Sequence, residues 1–149
     1  MAIEQNYPAD RNELMAWLKE REKKKLPAVL DLDLIELADG SARMRCEISE
    51  KHIATNGYLH AASVVAIADT AAGYGCMGNL PSGASGFTTL ELKSNHLGTM
   101  LEGTMIAEAR MSHSGRTTQV WDVVVSAEET GETLALFRCT QMILYPASD

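Results

Sequence analysis

The sequence predicts an α+β domain in which a long central helix is wrapped by a curved antiparallel sheet of about six strands. Three observations carry this expectation. Apolar and polar residues alternate at period two in runs on both sides of the chain's middle. Short turns join most of these runs, which makes neighbouring strands antiparallel. Between the runs stands Leu59 to Met77, LHAASVVAIADTAAGYGCM, which has helical length and almost no polar face.

Size and charge bound what the chain can be. Its 149 residues fit a single domain, 1–149, with 1–26 as an N-terminal helical extension. Such a chain buries about two thirds of its unfolded surface and needs no disulfide or metal staple. Apolar residues at 46% and charged residues at 22% fit a packed globule rather than a disordered chain. Lys and Arg number 13 against 20 Asp and Glu, a net charge of −7 that disfavours nucleic-acid and polybasic membrane-surface binding. Cys46, Cys76 and Cys139 are odd in number and contain no CxxC pair, so reduced, buried thiols in a cytoplasmic protein are expected. The start MAIEQNYPADRNE carries no signal-peptide pattern. The apolar stretch Ala61 to Ala68 is far short of the roughly 20 residues that span a bilayer.

Each element has its own signal. Asp10 with Glu13 three residues later opens a short helix whose apolar patch is Leu14, Met15, Trp17 and Leu18. The run Glu20 to Lys25 reads as its solvated end, and Pro27 as its stop. Leu30, Leu32 and Leu34 then alternate with Asp31 and Asp33. After the turn Ala38 to Ser41, Ala42, Met44, Cys46 and Ile48 alternate with Arg43, Arg45 and Glu47, completing a hairpin with one wet face. A strand is expected over Phe87 to Leu97. Met105 to Met111 follows, then a turn at His113 to Arg116. Gln119 to Ser126 with Trp121, a turn at Glu128 to Glu132, and a last strand from Thr133 to Tyr145 complete the pattern.

The central helix holds the chemistry. From His52 to Leu90 the only Asp, Glu, Lys or Arg is Asp69. A carboxylate in a buried helix is costly unless it is hydrogen-bonded or protonated, so Asp69 reads either as a structural residue held by hydroxyls or as a catalytic group. The approach Asn56-Gly57-Tyr58-Leu59-His60-Ala61-Ala62 brings the chain to the helix N-terminus, whose unpaired N–H groups can hold an oxyanion. His60 reads as a cap of the helix start or as a site residue. The nine residues from His60 to Asp69 span roughly 13 Å of helix. One isolated helix cannot put both ends on one reacting carbon. If both act at one site, Asp69 and the Ala61 N–H come from different subunits. His52, His96 and His113 form no metal-ligand spacing and are expected on the surface or in the core.

In order and spacing these pieces resemble the hotdog-fold acyl-CoA thioesterases of the phenylacetate-degradation (PaaI-like) type, over roughly Leu34 to Tyr145. The family pattern of G-x-x-HGG, an apolar run ending in L-A-[DE], and T-x-E-L-x-x-N-F-L reads here as Gly57 to Ala62, Ile67-Ala68-Asp69, and Thr89 to Leu97. The resemblance implies that Asp69 is nucleophile or general base toward a thioester carbonyl and that the Ala61 N–H polarises that carbonyl. It implies that Thr89 helps hold the water or the carboxylate, while Asn56, four residues before the motif His, is a candidate to position the reacting groups through a changed loop. It assigns the turn Gly115-Arg116-Thr117 to the coenzyme A portion, with Arg116 suited to a phosphate. Lys93 and Arg110 are further candidates for phosphate contact, or plain solvated strand residues. Ala61 and Ala62 replace the family's paired glycines. Ala54 stands where relatives carry Asn or Gln, six residues before the motif His.

The expected activity is hydrolysis of a small-to-medium or aryl acyl-CoA by a homodimer or homotetramer with its site at a subunit interface. Coenzyme A enters only as part of substrate and product, no separate cofactor or metal is required, and no nucleic-acid or membrane partner is expected. Two other readings stand beside it: a hotdog dehydratase or hydratase using His60 with Asp69, and a non-catalytic acyl-CoA binder.

Overall fold

The computed structural model describes residues 7–147. Helix α1 spans Arg11–Arg21 and begins where the Asp10 carboxylate accepts from the N–H groups of Asn12 and Glu13 at 2.9 and 3.0 Å. Its Leu14 and Leu18 are buried against the core. Trp17 takes the Tyr7 ring on edge and the Arg21 guanidinium 4.3 Å from its centroid.

The helix ends before the expected stop. Glu22 caps it, Lys24 turns left-handed at φ 63°, and Pro27 lies inside a second short helix, α2, Leu26–Val29. A proline in the first helical turn lacks an N–H that would be unpaired anyway. The next expectation also needs correction, because the alternation from Leu30 is not yet strand. Leu30 caps α2, Asp31 has φ 52°, and β1 begins at Asp33. The Leu30 carbonyl is occupied instead by the His52 ring at 2.8 Å and the Cys46 thiol at 3.3 Å.

The six strands are β1 Asp33–Ala38, β2 Ser41–Glu47, β3 Gly86–His96, β4 Thr104–Ser114, β5 Thr118–Ala127 and β6 Thr133–Leu144. All pairs are antiparallel, in the order β1-β2-β4-β5-β6-β3. Thus β3, third in sequence but sixth in the sheet, closes the far edge by pairing with β6. A bulge between Thr89 and Glu91 leaves Leu90 as the extra residue.

The sheet wraps α3, Ala61–Met77. Its inner face and the helix share a core in which Ile67, Ala68, Ala71, Ala72, Met44, Val125 and Cys139 have no exposed surface. The small residues of α3 permit close approach. A Cβ on Gly75 would lie 2.6 Å from the Trp121 ring, so the ring occupies the space that glycine vacates. Asn79 fastens the helix end: its Nδ2 donates to the carbonyls of Gly75 and Ala38, and its Oδ1 accepts from Gly40 N–H. All three thiols are free and buried.

The helix is not covered all round, as its apolar character predicts. Ala61 and Ala62 are exposed, and Val65, Ala66, Asp69 and Thr70 are half-buried along one open strip. Edge strand β3 is exposed from Thr88 to Lys93, including Leu90 and Leu92.

Candidate active site

The N-terminus of α3 is held by a residue that the motifs pass over. His52 is fully buried, and its Nδ1 accepts from Ser49 N–H at 3.0 Å while its Nε2 meets the Leu30 carbonyl. These partners fix the proton on Nε2. The His52 carbonyl then accepts from His60 N–H at 2.9 Å and from the Ser63 hydroxyl at 3.0 Å. A bridge between Ile53 and Leu59 closes the intervening hairpin, and Leu59 N–H donates to the Thr99 hydroxyl. Sequence alone places His52 in the core or on the surface. The signal for its anchoring role is the Ser49-x-x-His52 spacing, which forms a capping box around a 3-10 turn.

His60 is the N-cap. Its Nδ1 accepts from Ala62 N–H at 2.9 Å, and its carbonyl accepts from Ser63 N–H. With Nδ1 as acceptor, Nε2 carries the hydrogen and faces outward from an exposed residue. Ala61 N–H has no acceptor among the described residues. The first turn therefore keeps one free donor at the positive end of the helix dipole. Asn56 sits at the hairpin tip, where its Oδ1 accepts from Tyr58 N–H at 3.3 Å and its amide NH2 is left to donate to a ligand.

Asp69 projects from the open strip, two and a half helical turns along from His60. Its Oδ1 is buried and has no hydrogen-bond partner. Burial pushes its carboxyl pKa above the ordinary carboxylate range. Cys139 lies close enough to feel that charge; burial first, and Asp69 second, push the thiol up to about 12.

Strand β3 runs back along α3. It starts beside the helix C-terminus, where the Phe87 ring lies 3.4 Å from the Cβ position of Gly73. Beyond its end, Thr99 meets Leu59 at the helix N-terminus. Asp69 is one turn before Gly73, and Thr89 is two residues beyond Phe87 on the same sheet face, so both step in the same direction. Thr89 donates its hydroxyl hydrogen to Gln141 Oε1 at 2.9 Å.

The family model described as the thioesterase superfamily matches residues 56–134, which holds Asn56, His60, Ala61, Asp69 and Thr89. The chain belongs to the thioesterase superfamily. It is 31% identical over 115 residues to 1,4-dihydroxy-2-naphthoyl-CoA hydrolase of Listeria monocytogenes, covering 77% of this chain and 92% of that protein. A mutant thioesterase of Pseudomonas aeruginosa superposes with a TM-score of 0.81 at 25% identity, over 87% of this chain and 93% of that one. A Haemophilus influenzae thioesterase shares the fold at a TM-score of 0.79 and 20% identity, over 97% and 96% of the two chains. The protein is a hotdog-fold thioester hydrolase.

The rest of this thioesterase's candidate residues separate into two groups. Gly115, Arg116 and Thr117 form the β4–β5 turn, held by Gly115 N–H to the Thr118 carbonyl and by Ile143 N–H to the Thr117 carbonyl. Tyr145 donates to the Arg116 carbonyl at 2.5 Å, and the Arg116 guanidinium stands 5.9 Å from the Tyr145 ring. The turn adjoins the start of β3, toward the C-terminal end of α3, while Ala61 marks the other end of this 17-residue helix, roughly 25 Å away. Lys93 and Arg110 point to the outer sheet face with Arg138, whose guanidinium grips Asp122 at 2.5 and 2.7 Å.

A separate concavity of about 580 Å³ lies beside Thr99 and is lined by Glu47, Glu102, Glu129 and Glu132 without any Lys or Arg. Its carboxylates repel phosphates, so it does not suit coenzyme A. No helix is long and apolar enough to cross a membrane, and no metal-binding cluster occurs among the described residues.

Proposed function

We propose that the protein hydrolyses the thioester of a small-to-medium or aryl acyl-CoA at a site assembled from two copies of the chain. One observation carries the reading: Asp69, a carboxylate with an unpartnered buried oxygen and a pKa raised by burial, shares an open helix strip with the unspent N–H of Ala61. Asp69 takes a proton from attacking water or attacks the thioester carbonyl itself. The Ala61 N–H, at the helix dipole's positive end, stabilises the oxyanion. The outward Nε2–H of His60 and the amide of Asn56 are further donors at that end. Thr89 holds the water.

Geometry supports two copies. Ala61 and Asp69 are eight residues apart on one helix, roughly 12 Å. Two α3 helices packed antiparallel by their open strips, with Val65 at the two-fold axis, set Ala61 of each opposite Asp69 of the other. The same axis lays the exposed β3 edges alongside each other, so that unpaired strand groups find partners. It also carries the Gly115–Thr117 turn of one copy toward the Ala61 end of the other. Arg116 then meets coenzyme A phosphates despite the chain's net charge of −7. The name of the Listeria relative, a hydrolase of an aryl acyl-CoA, supports an aryl acid among the acyl groups. The buried, free thiols suit a cytoplasmic setting.

Release of free thiol from a panel of short, medium and aryl acyl-CoA esters tests this. Turnover of at least one ester is the expected result. A binder without turnover, or addition of water to an enoyl-CoA with the thioester left intact, contradicts it.

A further inference from the structure

Resting on the hydrolase reading, the geometry points to Gln141 as a positioning residue that fixes the polarity of the Thr89 hydroxyl, so that Thr89 meets the reacting water only as a hydrogen-bond acceptor.

Gln141 lies on β6 directly across from Thr89 and is fully buried beneath the sheet's inner face. A buried primary amide is costly unless its groups are satisfied. Its Nε2 donates to the Cys139 sulfur at 3.3 Å, which orients the amide and turns Oε1 toward β3. Oε1 accepts the Thr89 hydroxyl hydrogen at 2.9 Å. A threonine hydroxyl has one hydrogen and two lone pairs. With the hydrogen spent on Gln141, only lone pairs remain on the open side, where Thr89 stands at the level of Asp69. The bulge at Leu90, immediately after Thr89, sets the local twist that presents this hydroxyl.

An acceptor there selects its partner. It repels a carbonyl or carboxylate oxygen and takes a hydrogen from water. Water held through one hydrogen on Thr89 and the other on Asp69 aims a lone pair at the thioester carbon. The new C–O bond forms as Asp69 removes the second hydrogen's proton. The C–S bond then breaks, and that proton passes to the departing sulfur, which leaves as coenzyme A thiol. Gln141 touches none of the reacting atoms. Its effect is to prevent Thr89 from rotating to donate.

Gln141→Met keeps the length and removes the acceptor. We expect kcat to fall about tenfold, less than the roughly hundredfold or more that follows loss of a general base, because Gln141 acts only through Thr89, with KM changed less than twofold. Thr89→Val gives a similar loss, and the double variant loses no more than either alone, because the two residues act through one hydroxyl. Thr89→Ser recovers most of the rate lost in Thr89→Val. Losses that multiply in the double variant, a full-rate Gln141→Met, or a change confined to KM overturns the proposal while leaving the hydrolase reading intact. A wild type that releases no thiol removes both. If Gln141→Met does not fold, the Gln141 side-chain amide signals in NMR spectra of wild type and Thr89→Val decide. They shift, with kcat reduced, if the bond is present and used; unmoved signals or an undiminished kcat overturn the proposal.

Discussion

In the proposed mechanism the chemistry turns on Asp69, and two opposed demands meet in it. Burial with no partner for Oδ1 makes its ionised form costly. The same cost raises its pKa and makes it a better base. Asp69→Asn should lower kcat by at least about two orders of magnitude, the scale of a general base, with the fold retained. An unchanged rate in steady-state assays would remove Asp69 from the site. The wild-type rate should decline on the acid side around a midpoint above the ordinary carboxylate value of 3.8, and a pH profile of kcat/KM locates it. The stability effect has the opposite sense. A carboxyl whose folded pKa is raised supports folding below its unfolded pKa and loses that support as pH rises through the folded value. Asp69→Asn should therefore melt higher than wild type at neutral pH, and this advantage should vanish below about pH 4, the unfolded carboxyl value. Equal melting points at both pH values would contradict the burial argument. Asp69 stood out in the sequence because it was the lone charge in an apolar segment. The role of Gln141 was not legible, since a glutamine in a strand shows its partner only once β6 is laid beside β3.

At the scale of elements, the strands and α3 follow from local pattern, while the joints follow from contacts distant in sequence. Period two and short turns define β1–β2 and β4–β6 without knowledge of the whole. The stretch from Leu30 to Leu32 alternates equally well, yet is not strand, because the Leu30 carbonyl is claimed by His52, 22 residues away. Replacing His52 by Ala removes a fully buried side chain, frees Ser49 N–H and leaves the Leu30 carbonyl only the Cys46 thiol, and should cost about 2–3 kcal/mol in denaturant unfolding. It should also lower kcat by loosening the start of α3. A variant as stable as wild type would show that the anchor is dispensable. Gly75 reports on a different joint, between helix and sheet. Gly75→Ala improves helix propensity by about 1 kcal/mol, but its methyl meets the Trp121 ring at 2.6 Å. Overpacking of about 1–3 kcal/mol should prevail, giving a net loss of stability on thermal melting. A higher melting temperature would mean that the helix can lift from the sheet without penalty.

For the whole molecule, the proposed site calls for two copies of the chain, because Ala61 and Asp69 stand roughly 12 Å apart along one helix. The apolar helix was expected to be enclosed on all sides, and a single copy leaves one strip of it open, with a bare strand edge beside the sheet. Sequence could signal the enclosure but not distinguish its own sheet from a second copy as the cover. Val65, midway between Ala61 and Asp69, offers a direct probe of the assembly. In the proposed assembly Val65→Arg puts a charge at the two-fold axis facing its own copy, so the variant should sediment as a monomer and lose turnover. The most direct measurement mixes two inactive variants. Ala61→Pro deletes the oxyanion N–H at a helix position that tolerates proline, after an N-cap already extended. Asp69→Asn deletes the carboxylate. If each site takes its N–H from one subunit and its carboxylate from the other, a mixed dimer has one site with both defects and one intact. Random subunit exchange then restores about a quarter of wild-type activity. A mixture that exchanges subunits, as seen by native mass spectrometry, and yet stays inactive would contradict the shared site.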